Sequence, residues 1–94
     1  MWIDSHTHVT ASEFDADRPL VMQRARAAGV EAFVAIGAGW GIDANAAAVA
    51  MAEQEDDVFA AVGVHPHDAK LLDDAGRAKL RGWLDAPGVV AVGE

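Results

Sequence analysis

The sequence predicts an α/β fold made of parallel βα units, and three observations support this class. Short apolar runs alternate three times with segments of helical periodicity, and a fourth apolar run follows. Each unit takes about 25–30 residues, the length of a strand, a helix and two loops. Glycine or proline stands at four of the six junctions between these segments. Such units can close into an eight-stranded barrel or form an open doubly wound sheet, and four strands alone do not decide between them.

Four strands are predicted: the first is a polar stretch that carries two histidines, and the other three are apolar runs. The four strands cover residues 2–8, 32–36, 58–64 or 65, and 89–94. Pro66 ends the third strand because proline has no amide hydrogen to give to a sheet ladder. All four histidines of the chain lie at or just beyond the carboxyl end of a predicted strand, where βα folds collect their functional groups.

Three helices are predicted between these strands, covering residues 17–28, 44–55, and 73 or 74 to 86. Asp43 is expected to cap the second helix, because aspartate side chains accept hydrogen bonds from the amides of a first helical turn. The residues expected to face the core from the first and third helices are Val21, Ala25, Ala28, Leu80, Trp83 and Leu84.

Length and composition are those of one small domain, residues 1–94. Hydrophobic residues make up 52% of the chain, but no stretch approaches the roughly 20 apolar residues of a membrane span. We therefore expect no membrane association. The first residues lack the pattern of a secretory signal, so a cytoplasmic location is expected.

Charge and cysteine content limit the possible chemistry. The formal net charge is −8, so the averaged field repels phosphate backbones and does not favour non-specific coating of nucleic acid. An acidic protein can still act on a phosphodiester where bound cations reverse the local charge. The chain has no cysteine, so nitrogen and oxygen atoms must supply the ligands of any metal.

His6 and His8 are the clearest candidates for metal ligands. Alternate residues of a strand project to the same face, roughly 6.5–7 Å apart along the backbone, so the two imidazoles can converge on one cation. Histidine and carboxylate ligands suit several divalent metals. Asp4 precedes His6 by two residues and so projects to the same face of the strand, one layer of side chains deeper. There it would either orient a histidine or satisfy buried donors.

Three further candidates follow other predicted strands. Glu94 ends an apolar run, and a carboxylate there is costly to bury unless it is paired or metal-bound, whereas at a true chain end it would be solvated. Pro66 fixes the backbone so that His65 ends a strand and His67 lies in the loop. Both histidines can donate to a substrate phosphate or carboxylate, or cap the loop, and we expect substrate contact.

Trp40 lies in a glycine-rich loop after the second predicted strand. It could stack a nucleobase at the rim of a site, but such a tryptophan more often fills a gap between loops. The spacing of the loop's glycines is not that of a dinucleotide-binding loop.

Three segments of the chain resemble successive signatures of the TatD-type metal-dependent deoxyribonucleases, a family of the amidohydrolase superfamily. The segments are residues 3–8 with His6 and His8, residues 62–67 with His65 and His67, and residues 91–94 with Glu94. They occur in order and at similar separations, and residues 14–15 and 24–30 also fit. Three matched segments are far more specific than a single His-x-His.

This resemblance implies that the chain is the N-terminal half of a TIM-like (β/α)8 barrel, a single partial domain. It implies two divalent metal ions (Mg²⁺, Zn²⁺, Mn²⁺ or Ni²⁺), with His6 and His8 on the first and Glu94 bridging to the second as a catalytic residue. The implied reaction is hydrolysis of phosphodiester bonds in DNA by a water that two metals activate. A complete barrel takes about 250 residues, so we expect a fragment that is inactive alone.

Two alternatives remain open from the sequence. His-x-His is shared by related barrels that hydrolyse other esters or amides, although the segment His65-Pro66-His67 favours the nuclease. In the second alternative the chain is a non-catalytic half-barrel that needs a partner, because its first and fourth strands would be open edges. The expected partner is DNA or another phosphodiester substrate, and the sequence does not predict an oligomeric state.

Overall fold

Strand and helix alternate along the whole chain, for which a computed structural model describes residues 1–93. In this range four strands form one parallel sheet and three α-helices connect them, which confirms the predicted α/β class. The strands are β1 (Trp2–Thr7), β2 (Val30–Ile36), β3 (Val58–Val62) and β4 (Val89–Val92). The helices are α1 (Arg18–Ala27), α2 (Asn45–Gln54) and α3 (Asp74–Leu84).

The order of the strands in the sheet is β1-β2-β3-β4, and every neighbouring pair is parallel. Parallel crossover connections are right-handed in about 98% of cases, so an order that never reverses places the connecting helices on one face. A doubly wound sheet reverses its order and carries helices on both faces. The observed order is therefore that of a barrel wall, and it fits the N-terminal half of a TIM-like barrel.

The strands differ from the prediction mainly at their carboxyl ends. β1 ends at Thr7 and β3 ends at Val62, so His8 and His65 lie in the loops that follow. β2 begins at Val30, two residues before its predicted start. Glu94, the predicted end of the fourth strand, lies outside the described residues. The histidines thus reach the sheet edge partly from loops, which gives them more conformational choice than strand residues have.

Short 3₁₀ helices follow the first three strands, and each of the three α-helices begins within one residue of its predicted start. The 3₁₀ helices cover Ser12–Phe14, Ile42–Ala44 and Pro66–Leu71. The prediction that Asp43 caps α2 is wrong, because Asp43 lies inside the second 3₁₀ helix, which runs directly into α2 without a side-chain cap. Asp73 caps α3, since its Oδ1 accepts from the amide of Gly76 at 2.8 Å.

The main core lies between the sheet and the helices and contains several small side chains. Its buried members are Val9, Met22, Phe33, Ala35, Ala48, Met51, Val58 and Ala60. Ala48 on α2 and Ala35 and Ala60 on the sheet are fully buried, so helix and sheet pack without large side chains between them at these points. No helix within residues 1–93 is long and apolar enough to span a membrane.

The predicted inward faces of α1 and α3 are confirmed in part. Val21 and Ala25 pack against the main core. Ala28 is exposed because α1 ends one residue before it. Met22, which was not among the predicted core residues, is buried. On α3 the side chains of Leu80 and Trp83 are half-buried, whereas Leu84 is exposed.

The opposite face of the sheet carries a smaller apolar cluster. Its buried members are Ile36, Ala38 and Ala61, with Val34 packed against them. Val34 and Ile36 alternate along β2 with the core residues Phe33 and Ala35, so they project from the other face of the sheet. On the two outer strands Ile3, Val90 and Val92 are largely exposed.

An ion pair joins the end of α1 to the start of β3. Arg26 donates from Nε and Nη2 to the two carboxylate oxygens of Asp57, both at 2.7 Å, and Nη2 also lies 3.4 Å from Glu55. The guanidinium also lies 5.9 Å from the ring centroid of Phe33. The backbone carbonyl of Asp57 accepts from the amide of Phe33, so the pair braces the two strands where they begin. A two-bond fork of this kind is stronger than a typical surface pair.

Replacing Arg26 by methionine is expected to lower the free energy of unfolding by about 1 kcal/mol at pH 7, because the fork is well aligned but reached by solvent. The hydrogen bond from Arg26 lowers the pKa of Asp57. The stabilisation is therefore present above the ordinary aspartate pKa of about 3.9 and is lost as the pH falls through the lower folded-state pKa. Urea unfolding of both proteins between about pH 7 and pH 2 measures this difference.

Arg77→Met is the matched control for this experiment. Arg77 pairs with Asp74 on the exposed side of α3, at 3.1 Å, and its removal should change the unfolding free energy by less than about 0.5 kcal/mol. A loss in Arg26→Met that is as large at about pH 2 as at pH 7 would contradict the assigned role of Asp57.

Candidate metal centre

His6 and His8 converge at the carboxyl end of β1. Their Nε2 atoms lie 3.2 Å apart, and their ring centroids lie 5.0 Å apart with the planes at 79°. The pairing of β1 with β2 shifts here, since Asp4 pairs with Phe33 but Thr7 pairs with Ala35. Three steps along β1 thus match two along β2, which is a bulge, and bulges re-aim side chains next to functional sites. Both imidazoles point to a common place, as their spacing predicts.

The Nε2 separation of His6 and His8 fits a shared cation. Two imidazole nitrogens, each about 2.0–2.1 Å from one metal, lie 3.2 Å apart when they subtend an angle of about 100° at it, between octahedral and tetrahedral values. The same distance is also a hydrogen bond in which one ring donates to the other. Both rings are exposed, so a cation can approach them from solvent. The donor set therefore fits a divalent metal with nitrogen ligands.

Asp4 supports the bulge in β1. Its Oδ1 accepts from the backbone amide of His6 at 3.1 Å, the local turn that aspartate side chains favour. The observed contact is thus with the backbone of a histidine and not with a ring. Its predicted role in orienting an imidazole stays a prediction.

His65 and His67 form a second pair of imidazoles, after β3. His65 Nδ1 accepts from the backbone amide of His67 at 3.0 Å, and the two ring centroids lie 4.5 Å apart. An Nδ1 that accepts carries no proton, so the neutral ring of His65 has its hydrogen on Nε2. This tautomer makes Nε2 of His65 a hydrogen-bond donor, which suits contact with a substrate oxygen.

The structure brings three of the four histidines to one recess. A cavity of about 130 Å³ is lined by His6, His8, Ala38 and His65. His67 is not part of this lining, and Glu94 lies outside the described residues. Within residues 1–93 no group of three or more histidine, aspartate or glutamate side chains is arranged to hold a metal.

Asn45, which the sequence analysis did not single out, shapes this edge of the sheet. Its side chain is fully buried. Nδ2 donates to the carbonyls of Ile42 and Gly63, each at 2.9 Å, and Oδ1 accepts from the amide of Gly63 at 3.0 Å. The amide therefore ties the first residue of α2 to the chain just after β3. Two residues further on stands His65, so Asn45 helps to fix where that histidine begins its loop.

Two glycines allow this close packing. A Cβ on Gly37 would overlap the side chain and backbone of Asn45, and a Cβ on Gly63 would overlap the carbonyl of Gly93. The amide of Gly93 donates to Val62 at 3.0 Å, which holds the chain after β4 against β3. Residues larger than glycine at these positions would push apart the strand ends that surround the recess. A single polar residue in the alanine-rich run 44–50 was the sequence signal for Asn45.

Asn45→Ala is expected to lower the free energy of unfolding by about 3 kcal/mol, because it leaves the buried amide and carbonyl of Gly63 without partners. Asn45→Asp should cost more at about pH 8, since a buried carboxylate would face two carbonyl oxygens. Burial raises the pKa of such a carboxyl, so the folded state would bind the proton more readily and the loss should decrease toward about pH 5.

Chemical denaturation at both pH values measures these losses, with Gln54→Ala as the control. Gln54 is exposed at the other end of α2, so its truncation should have little effect. An Asn45→Ala protein as stable as the Gln54→Ala protein would show that the buried amide is dispensable.

The fold and the paired imidazoles together are typical of metal-dependent hydrolases built on barrels of parallel βα units. Comparison with known sequences agrees: the profile of the TatD related DNase family matches residues 3–94. The chain belongs to this family, as the three motifs predict.

Curated relatives carry nuclease or hydrolase names. The chain is 38% identical over 91 residues to the 3'-5' ssDNA/RNA exonuclease TatD of Cronobacter turicensis, covering 97% of this chain and 34% of that protein. It is 41% identical over 95 residues to the uncharacterized metal-dependent hydrolase TatD of Mycobacterium tuberculosis, covering 98% and 35%. It is 34% identical over 94 residues to the uncharacterized metal-dependent hydrolase YabD of Bacillus subtilis, covering 100% and 36%. The chain thus spans about a third of the length of these relatives.

Proposed function

We propose that residues 1–94 form the first half of a barrel domain that hydrolyses phosphodiester bonds in nucleic acid with the help of two divalent metal ions. The observation that carries this proposal is the 3.2 Å separation of the Nε2 atoms of His6 and His8 at the carboxyl end of β1. Membership of a family whose relatives are named metal-dependent hydrolases and exonucleases supports it.

His6 and His8 would hold the first cation through Nε2, and Glu94 would bridge it to the second. When bound, divalent cations lower the pKa of water, neutralise developing phosphoryl charge and orient the substrate. The cation could be Mg²⁺, Zn²⁺, Mn²⁺ or Ni²⁺, since imidazole and carboxylate ligands suit these metals to different degrees. Asp4 would act indirectly, because its side chain holds the bulged backbone at His6 in place.

His65 and His67 would bind the substrate. The ring of His65 lines the same recess as His6 and His8, and an imidazole in such a recess can donate a hydrogen bond to a phosphate oxygen. His67 would contact the substrate from the loop, on the outer side of His65. Neither residue needs to ligate a metal in this arrangement.

The substrate proposed is single-stranded nucleic acid, the class named for several relatives. A chain with a net charge of −8 gains little from long-range attraction to phosphates, so cations in the recess would have to supply the local positive charge.

We propose a cytoplasmic location for the protein, on the sequence pattern alone.

The 94-residue chain is proposed to be inactive when isolated. On its outer strands Ile3 is 60% exposed and Val92 is 70% exposed, and the relatives have about three times its length. A half-barrel that requires the rest of its domain explains both facts.

Removing the imidazoles of His6 and His8 together by alanine substitution should abolish tight binding of one divalent metal ion per full-length protein. Hydrolysis of a single-stranded oligonucleotide should fall by more than about 100-fold, because loss of a ligand costs more than loss of a residue that only orients one. Bound metal is measured by elemental analysis. Glu53→Gln, on the exposed side of α2, is the control and should leave both quantities unchanged. Unchanged metal content in the histidine variant would refute the assignment.

Glu94→Gln, which removes the negative charge but keeps the side chain's size, should lower the metal content from two ions to one and reduce hydrolysis by a similar factor. The same proteins, assayed side by side on single-stranded DNA and on a simple carboxylic ester, separate the nuclease from the esterase alternative. Treatment with a chelator should stop DNA hydrolysis, and added divalent metal should restore it. Faster hydrolysis of the ester than of DNA would favour the alternative.

A further inference from the structure

Trp40 stands beside His8 at the edge of the proposed metal centre. The two ring centroids lie 5.1 Å apart, and the planes meet at 75°. A tryptophan that fills a gap between loops is mostly buried, whereas 53% of Trp40 is exposed. Among the described residues, its indole is therefore a large aromatic surface left uncovered next to a candidate metal ligand.

The loop that carries Trp40 is anchored on both sides. The amide of Gly37 donates to Ala61 at 2.9 Å, and the amide of Gly41 donates to Oδ2 of Asp68 at 3.1 Å. Asp68 belongs to the 3₁₀ helix that follows His65, so the loop is tied to the second histidine pair as well. An aromatic surface held in this way loses little conformational entropy when a ligand packs on it.

A recess of about 230 Å³ opens beside the indole. It is lined by Thr10, Ala11, Ser12, Trp40, Ala44 and Ala47. Three alanines and the indole form apolar walls, and two hydroxyl groups provide hydrogen-bond partners. None of these six side chains is cationic, so the recess does not suit a phosphate. It suits a flat ring with polar edges.

We propose that Trp40 and this recess bind the nucleobase of a nucleotide whose phosphodiester lies at His6 and His8. The inference rests on the proposed function, because it places the base beside the bond to be cleaved. Stacking on an aromatic side chain needs a base with a free face, so the subsite selects single-stranded over duplex nucleic acid. Since every base has such a face, the subsite tolerates all four bases.

The test compares two single-stranded DNA oligonucleotides of equal length in the full-length protein, one with ordinary nucleotides and one with abasic residues at both ends. The wild-type protein should show a KM about tenfold lower for the ordinary oligonucleotide, the order of effect that base stacking gives. Trp40→Ala should bring the ratio of the two KM values close to one, and Trp40→Phe should keep most of the preference. Trp2→Ala is the control, since Trp2 is an exposed tryptophan at the other end of β1 and should leave the ratio unchanged.

The outcomes separate this inference from the proposed function. If Trp40→Ala lowers activity on both oligonucleotides equally, or on neither, the base subsite is refuted while the nuclease assignment stands. If the wild-type protein hydrolyses neither oligonucleotide, the proposed function fails. Fluorescence anisotropy with a labelled thymidine oligomer then decides the subsite separately: binding that Trp40→Ala weakens at least severalfold relative to Trp2→Ala supports it, and equal binding overturns it.

Discussion

One buried amide holds together the edge of the sheet on which the candidate site is built. Asn45 bonds both the amide and the carbonyl of Gly63 and also the carbonyl of Ile42, so it joins the start of α2 to the chain just after β3 and to the 3₁₀ helix that precedes α2. Gly37, after β2, packs directly against it. An amide in an apolar interior must have all these partners, because each unmet group costs free energy, and this requirement permits only one arrangement of the three segments. The position of the loop that begins at His65 follows from it.

The order of the strands in the sheet places the loops that carry the candidate site residues next to one another. Since the strands follow one another as neighbours without reversal, their carboxyl ends form a continuous edge. The last part of β1 brings His6 to this edge, and the loop after β1 brings His8. The loop after β2 brings Trp40, and the loop after β3 brings His65. The residues that approach each other there are separated by up to about 60 positions in the sequence. Only a parallel sheet with regular crossovers collects groups this distant at one place with so few residues.

Much of this arrangement is predictable from the sequence because it depends on local rules. The alternation of side chains along a strand predicts that His6 and His8 meet, and they do so even across a bulge. The cap at Asp73 follows from the preference of aspartate for that position. Asp43 shows where the same rule fails: the chain continues from a 3₁₀ helix directly into α2, so no free helix start exists at that point to be capped.

Contacts between distant segments are what the sequence pattern does not reveal. Asn45 was not predicted because its partner Gly63 is 18 residues away, and a single asparagine in an alanine-rich run does not reveal which distant group it binds. The fork between Arg26 and Asp57, 31 residues apart, is of the same kind. Resemblance to family motifs predicts more than local rules do, because the motifs carry information about the whole barrel. The three motifs predicted the family that the profile match shows.

The acidic character of the chain constrains how its proposed site can bind a nucleic acid. The net charge of −8 on residues 1–94 disfavours phosphate contacts spread over this part of the protein, so the proposed site would bind through interactions that do not need positive side chains here. Cations held by neutral imidazoles can neutralise the one phosphate to be cleaved, and an exposed indole can bind the neighbouring base by its neutral face. Placed about 5 Å apart, as His8 and Trp40 are, these two interactions can act on adjacent parts of a single nucleotide. Under the proposed function, substrate selection would then depend on one unpaired base and one phosphate.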